Sequence, residues 1–169
     1  MKSTLVVMGV AGCGKSSLAR AVATAEGLPM IEGDVHHSAT SVAKMSQGIA
    51  LTDVDRAGWL DRLADLLVQH PDGVVLTCSA LKLAYRQRLR AAAPGLRFAW
   101  IDICHSDALA RVSGRGDHFF SATLVDSQFD ALQPPIGEPG VLRMDARLPL
   151  EQLQAEVSAW LATPLETRP

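Results

Sequence analysis

Gly9-Val10-Ala11-Gly12-Cys13-Gly14-Lys15-Ser16 decides how this chain is read. The stretch fits G-x-x-x-x-G-K-[ST], a loop whose glycines turn the backbone tightly and aim successive N–H groups at phosphate oxygens. Ahead of it runs Leu5-Val6-Val7-Met8, an apolar strand. Behind it, Ser16 to Ala25 carries alanines and Leu18 in a helical pattern that stops at Gly27. A strand feeding a glycine loop and then a helix N-terminus makes an anion site, because the unpaired N–H groups and the helix dipole both favour negative charge. In that setting Lys15 offers a point charge to the β- and γ-phosphates, and Ser16 offers a hydroxyl to Mg2+. ATP and Mg2+ are the expected cofactors, with Gly9, Gly12, Cys13, Gly14, Lys15, Ser16 and Ser17 as the expected contacts and Ser16 as the metal ligand.

Outward from the loop, strand and helix patterns alternate. Pro29 to Glu32 reads as a short second strand and Gly73 to Thr77 as a buried third, followed by Leu96 to Ile103 and Val141 to Met144. Between them, helices are expected from Ser38 to Gln47, from Thr52 to about His70, from Leu81 to Ala93, from Ser106 through Val112, and from Ala122 to Leu132. Thr52 with Asp55 three residues on has the form of a helix start, and Pro149 opens a last helix. Continuous apolar strands separated by helices indicate a parallel sheet covered on both faces. The expected fold is a three-layer α/β/α domain with a five-stranded parallel sheet, one domain over 1–169. The polar, glycine-containing Ser113 to His118 suits a mobile lid spanning about 111–124.

Composition limits the partners. The 169 residues are 48% hydrophobic and 20% charged with a formal net charge of -2, so the basic footprint of a nucleic-acid binder is missing. No apolar stretch approaches a membrane span. Met1-Lys2 followed by Leu5–Met8 and Val10-Ala11-Gly12-Cys13 has the look of a leader, but the apolar run is too short and flows into the phosphate loop. Cys13, Cys78 and Cys104 are widely spaced and odd in number, which fits a reducing cytoplasm. Cys13 reads as a small loop residue, with nothing to support a redox role. His36 and His37 lack the cluster a zinc site needs.

The acceptor side is expected where parallel strands end. Asp34, just past the second strand, is placed to take the proton of a substrate hydroxyl or to hold a Mg2+-bound water; a turn aspartate is the plainer alternative. Arg56 suits the fork of a carboxylate or sits solvated. No strand-end aspartate follows Thr77, so the metal-water task falls to Asp34 in this reading. Arg111 and Arg115 flank the glycine-rich stretch at the spacing of lid arginines that close on a transferring phosphate.

Several segments together resemble the gluconokinase family of small P-loop sugar-acid kinases. They are Val7–Ser17, Glu32–His37 (EGDVHH), Lys44–Gly48, Leu51–Leu60 (LTDVDRAGWL), Thr77–Arg90, the Arg111/Arg115 pair with His118–Phe120, and Leu124–Pro135. The resemblance implies a nucleoside-monophosphate-kinase type of fold, transfer of the ATP γ-phosphate to the 6-hydroxyl of D-gluconate, a homodimer and a cytoplasmic location. Carried onto this chain, it makes Asp34 the hydroxyl partner. It puts His37, Arg56, Ser79, Lys82 and Arg86 near gluconate and makes Arg111 and Arg115 the lid arginines. The chain departs from the family pattern at Ser38, Ser41, Ala50, Gly58 and Ile103. Two other readings compete: a shikimate kinase-like enzyme, against which the S-A-L-K-x-x-Y-R segment speaks, and a regulatory module that binds ATP without turnover, which needs neither Asp34 nor lid arginines.

Overall fold

The computed structural model describes residues 3–114 and 122–165. Five strands form one parallel sheet in the order β2-β3-β1-β4-β5, with β1 at Thr4–Met8, β2 at Met30–Glu32, β3 at Val74–Thr77, β4 at Arg97–Asp102 and β5 at Val141–Asp145. β1 is central, and its register pairs Val7 with Thr77 on one side and with Ala99 on the other. Leu5, Val6, Val7 and Met8 are all fully buried, which is why this run is apolar without alternation. Its two faces feed two cores. Leu5 and Val7 join Leu18, Val22 and Val157 beneath α1 (Lys15–Glu26) and α7 (Leu150–Leu161). Val6 and Met8 join Trp59, Leu63 and Leu89 beneath α3 (Asp53–Val68) and α4 (Leu83–Ala92).

Local chemistry sets the helix ends. α1 starts from Gly14 in a left-handed conformation (φ 99), a geometry that costs a side-chain-bearing residue, and has no acidic residue in its first turn. α2 (Ala39–Ser46) is capped by Ser38, whose hydroxyl accepts the Ser41 N–H at 3.1 Å and also bonds the Ser41 hydroxyl. Two of the departures from the family pattern thus form a matched cap. α3 begins with a reciprocal capping box between Thr52 and Asp55. Lys44 adds an ion pair at 2.8 Å, and its hydrogen bond, ahead of the Thr52 N–H, holds the Asp55 carboxyl down at about 2. Thr52→Ala should cost about 1 kcal/mol, read as a melting-temperature fall of roughly 2–4 °C; an unchanged melting temperature would mean that the box adds nothing.

Two expectations need correction. α5 runs His105–Gly114 rather than starting at a Ser106 cap, and the Cys104 carbonyl accepts the first helical N–H, from Ala108. Ser113 and Gly114, read as part of a mobile stretch, belong to that helix. Arg115 and His118 lie outside the described residues. α6 occupies Ala122–Ala131, close to its expected bounds.

Candidate active site

The phosphate loop lies at the carboxyl end of β1. Lys15 Nζ folds back on the loop and donates to the carbonyls of Gly9 (3.0 Å) and Val10 (3.2 Å). Arg111, at the end of α5, reaches the loop from the other side. Its Nη1 donates to the Gly12 and Cys13 carbonyls at 3.3 Å, and its Nη2 donates to Ala146 at 2.9 Å. Lys15 and Arg111 therefore both donate to carbonyls of this loop. Cys13 is buried, and burial pushes its thiol pKa up against the pull of Lys15, so it stays protonated and unreactive.

Sequence reasoning missed Glu32. This last residue of β2 pairs with Thr77 of β3, and its Oε2 accepts from both Thr77 Oγ1 (2.8 Å) and Ser16 Oγ (3.1 Å). Thr77 Oγ1 in turn accepts the Gly33 N–H at 3.1 Å. A carboxylate thus stands at the end of the strand beside β3, held there by a threonine. The signal was the position of Glu32 at a strand end two residues before Asp34.

Gly33 is fixed by contact: a Cβ on it would stand 2.0 Å from the Thr77 carbonyl oxygen. After it, a single 3-10 turn, Gly33–His36, carries Asp34 into the cleft half-exposed. Trp59 of α3 locks this turn. Its Nε1 donates to the Gly33 carbonyl at 2.8 Å, and its ring stacks on His37 at 4.2 Å and 18°. The His37 side chain is 5% exposed, and its Nδ1 has no partner among the described residues. Burial lowers its pKa, Asp34 opposes that shift, and Arg56 and Arg62 reinforce it. Burial thus favours the neutral imidazole, whose Nε2 lies 3.8 Å from the Asp34 carboxylate.

Lys15, Asp34, His37, Arg56 and Ser79 line one cleft together with Trp59, Ala50 and Gln128. Arg56 is nearly buried, and its Nη1 donates to the Tyr85 hydroxyl at 3.4 Å, leaving most of its guanidinium for an anion. The other two residues expected beside the acceptor are placed elsewhere. Lys82 pairs with Asp53 at 2.8 Å, and the Tyr85 hydroxyl donates to that same carboxylate oxygen. Arg86 is 1% exposed and fully engaged: Nε donates to Glu138 at 3.0 Å, Nη1 to the carbonyls of Ala80 (2.7 Å) and Leu81 (3.1 Å), and Nη2 to Gln133 (2.9 Å) and Glu138. All of its donors are taken within the protein. It clamps the turn after β3, where Ala80 holds φ 47, and so acts on Ser79 through the backbone.

The comparisons agree with this geometry. A family model described as an AAA domain matches residues 5–135. Among curated proteins, the thermosensitive gluconokinase of Escherichia coli (strain K12) is 39% identical over 84% of this chain and 78% of its own length. The gluconokinase of Gluconobacter oxydans (strain 621H) is 43% identical over 83% and 80%. The crystal structure of a gluconokinase from Sinorhizobium meliloti 1021 superposes with a TM-score of 0.88 at 41% identity, covering 95% of this chain and 92% of that one. With the phosphate loop, the strand-end Asp34 and this likeness over most of its length, the chain belongs to the gluconokinase family.

Proposed function

We propose that this chain transfers the γ-phosphoryl group of ATP to the 6-hydroxyl of D-gluconate. The observation that carries the reading is the single cleft in which Lys15 and Asp34 meet His37, Arg56 and Ser79. Arg56 receives the carboxylate of the sugar acid, and His37 and Ser79 bond its hydroxyls. Asp34 accepts the hydroxyl proton as that oxygen bonds to the γ-phosphorus; the bond from phosphorus to the β–γ bridging oxygen breaks, and its electron pair leaves with ADP. Lys15 turns from its loop carbonyls to the β/γ-phosphates, and Arg111, with Arg115 beyond the described residues, offsets charge on the triphosphate. The whole chain acts as one kinase domain, with the lid near 111–124. A homodimer is the assembly that the resemblance implies, and three free cysteines support a cytoplasmic location.

Ser16 and Glu32 fit Mg2+, since both present oxygen and the ion takes one or two protein groups while keeping its waters and phosphate ligands. Held by Ser16 and Glu32, the ion would supply Lewis-acid stabilisation of the charge on the transferring group. The task assigned to Asp34 as a holder of metal-bound water passes to Glu32 in this scheme. Glu32→Gln is expected to raise the Mg2+ concentration for half-maximal rate about 10–100-fold, with metal-free ATP affinity unchanged. An unaltered Mg2+ dependence would remove Glu32 from the metal's surroundings.

The test of the function is a panel of acceptors, gluconate, shikimate and other sugar acids, each with Mg-ATP and ADP release as the readout. Gluconate should give the highest kcat/KM. Preference for shikimate would transfer the assignment to the shikimate kinase-like reading, and no turnover with any acid would favour the regulatory module.

A further inference from the structure

Gln128 belongs to α6, the helix that follows the lid segment, yet its side chain is bonded to the phosphate loop. It is nine-tenths buried, and Oε1 accepts the backbone N–H of Ala11 at 2.7 Å across 117 residues of sequence. That contact settles the orientation of the carboxamide. A backbone N–H only donates, so the oxygen must face it, and the Nε2 end with its two N–H donors is directed away from the loop. Gln128 lines the cleft beside Lys15 and Asp34, and Nε2 donates to no described residue. Its neighbour Ser127 supplies no such group, because its hydroxyl donates back to the Leu124 carbonyl at 2.9 Å. Both Nε2 donors are thus free to meet an anionic or carbonyl-like group that enters the cleft. The space between the lysine and the aspartate is the one a phosphoryl group crosses.

We propose that Gln128 is a further catalytic residue: its Nε2, oriented by the Ala11 bond, donates to an oxygen of the phosphoryl group in flight between ATP and the acceptor hydroxyl. This rests on the sugar-acid kinase reading above. In that step charge spreads over the three equatorial phosphoryl oxygens, and a fixed neutral donor there acts without reorganising. The Ala11 bond supplies the fixing. It also makes the position of α6 part of the loop's own hydrogen bonding.

Gln128→Glu tests it, because a carboxylate keeps an acceptor for Ala11 while replacing both donors with negative charge. The expected result is a fall in kcat of about 10²–10³, the usual loss for one transition-state donor, with KM for gluconate within about three-fold. Affinity for ADP with aluminium fluoride, which mimics the transferring group, should fall with kcat, while ADP affinity alone stays the same. A raised KM for gluconate at unchanged kcat would overturn the proposal and make Gln128 a reader of the sugar acid. Equal losses for ADP and ADP–aluminium fluoride would reduce it to a loop-shaping contact. Folding is followed by thermal melting, and should Gln128→Glu fail to fold, Gln128→Leu carries the same ADP against ADP–aluminium fluoride comparison. If the wild type phosphorylates no sugar acid but Gln128→Glu still loses the fluoride complex selectively, the acceptor assignment fails and the role of Gln128 stands.

Discussion

Asp34→Ala is expected to lower phosphoryl transfer by about 10²–10⁴, the contribution of a positioned base, while ATP affinity stays within a few-fold. The asymmetry follows from where the side chain sits. Asp34 is carried on the 3-10 turn after β2, half-exposed in the cleft, with His37 Nε2 3.8 Å away. It makes no contact with Lys15 or the loop amides that would hold the triphosphate. In the proposed scheme, removing it takes away the proton acceptor and leaves the phosphate cradle intact. The turn itself should survive, because the Trp59 bond to the Gly33 carbonyl and the Gly33 bond to Thr77 do not involve the Asp34 side chain. Steady-state kinetics with gluconate and calorimetry with a non-hydrolysable ATP analogue separate the two quantities. Near-normal turnover would show that another group takes the proton.

Arg86→Ala is expected to destabilise the fold by about 3–5 kcal/mol, the cost of breaking a buried ion pair from one side. Four carbonyl or carboxylate partners on three segments converge on this guanidinium. Its loss leaves Glu138 with Arg90 alone and releases the strained Ala80 turn. Burial pushes the Glu138 carboxyl pKa up, but Arg86 and Arg90 outweigh it and hold it below the usual carboxylate value. The pair therefore stabilises the fold fully above the unfolded-state carboxylate pKa. That stabilisation drains away as pH falls through the lower folded value. Denaturant unfolding across pH should show an acid-dependent loss in the wild type that is reduced in Arg86→Ala. A variant with wild-type stability and a raised KM for gluconate would instead return Arg86 to the substrate.

These two residues show how far local sequence signals reach. Asp34 was legible because a parallel sheet gathers ligands at its strand ends, and an acid just past a short apolar strand has few other places to be. The Gly27 stop and the Thr52–Asp55 box were legible because each works through near neighbours in sequence, and the phosphate loop because its glycines, lysine and serine stand in one contiguous run. Arg86 and Gln128 work through partners 52 and 117 residues away. An arginine or glutamine on a helix carries no local mark that separates a solvated face from a buried clamp. Glu32 went unmarked because the metal-water task was read onto Asp34, two residues on. The β2–β3 register sets Glu32 beside Thr77, within 3.1 Å of the Ser16 hydroxyl, a contact between residues 16 apart. α5 starts at His105, ahead of its apparent serine cap, with the Cys104 carbonyl taking the Ala108 N–H.

The central claim is that the phosphoryl group leaves ATP for the terminal hydroxyl of gluconate, and phosphorus NMR observes that transfer directly. With catalytic amounts of the full chain, Mg-ATP and gluconate, the γ-resonance should disappear one-for-one with the appearance of a phosphomonoester signal split into a triplet by the two protons on C6. Release of inorganic phosphate alone, or a γ-resonance unchanged by gluconate, would contradict it.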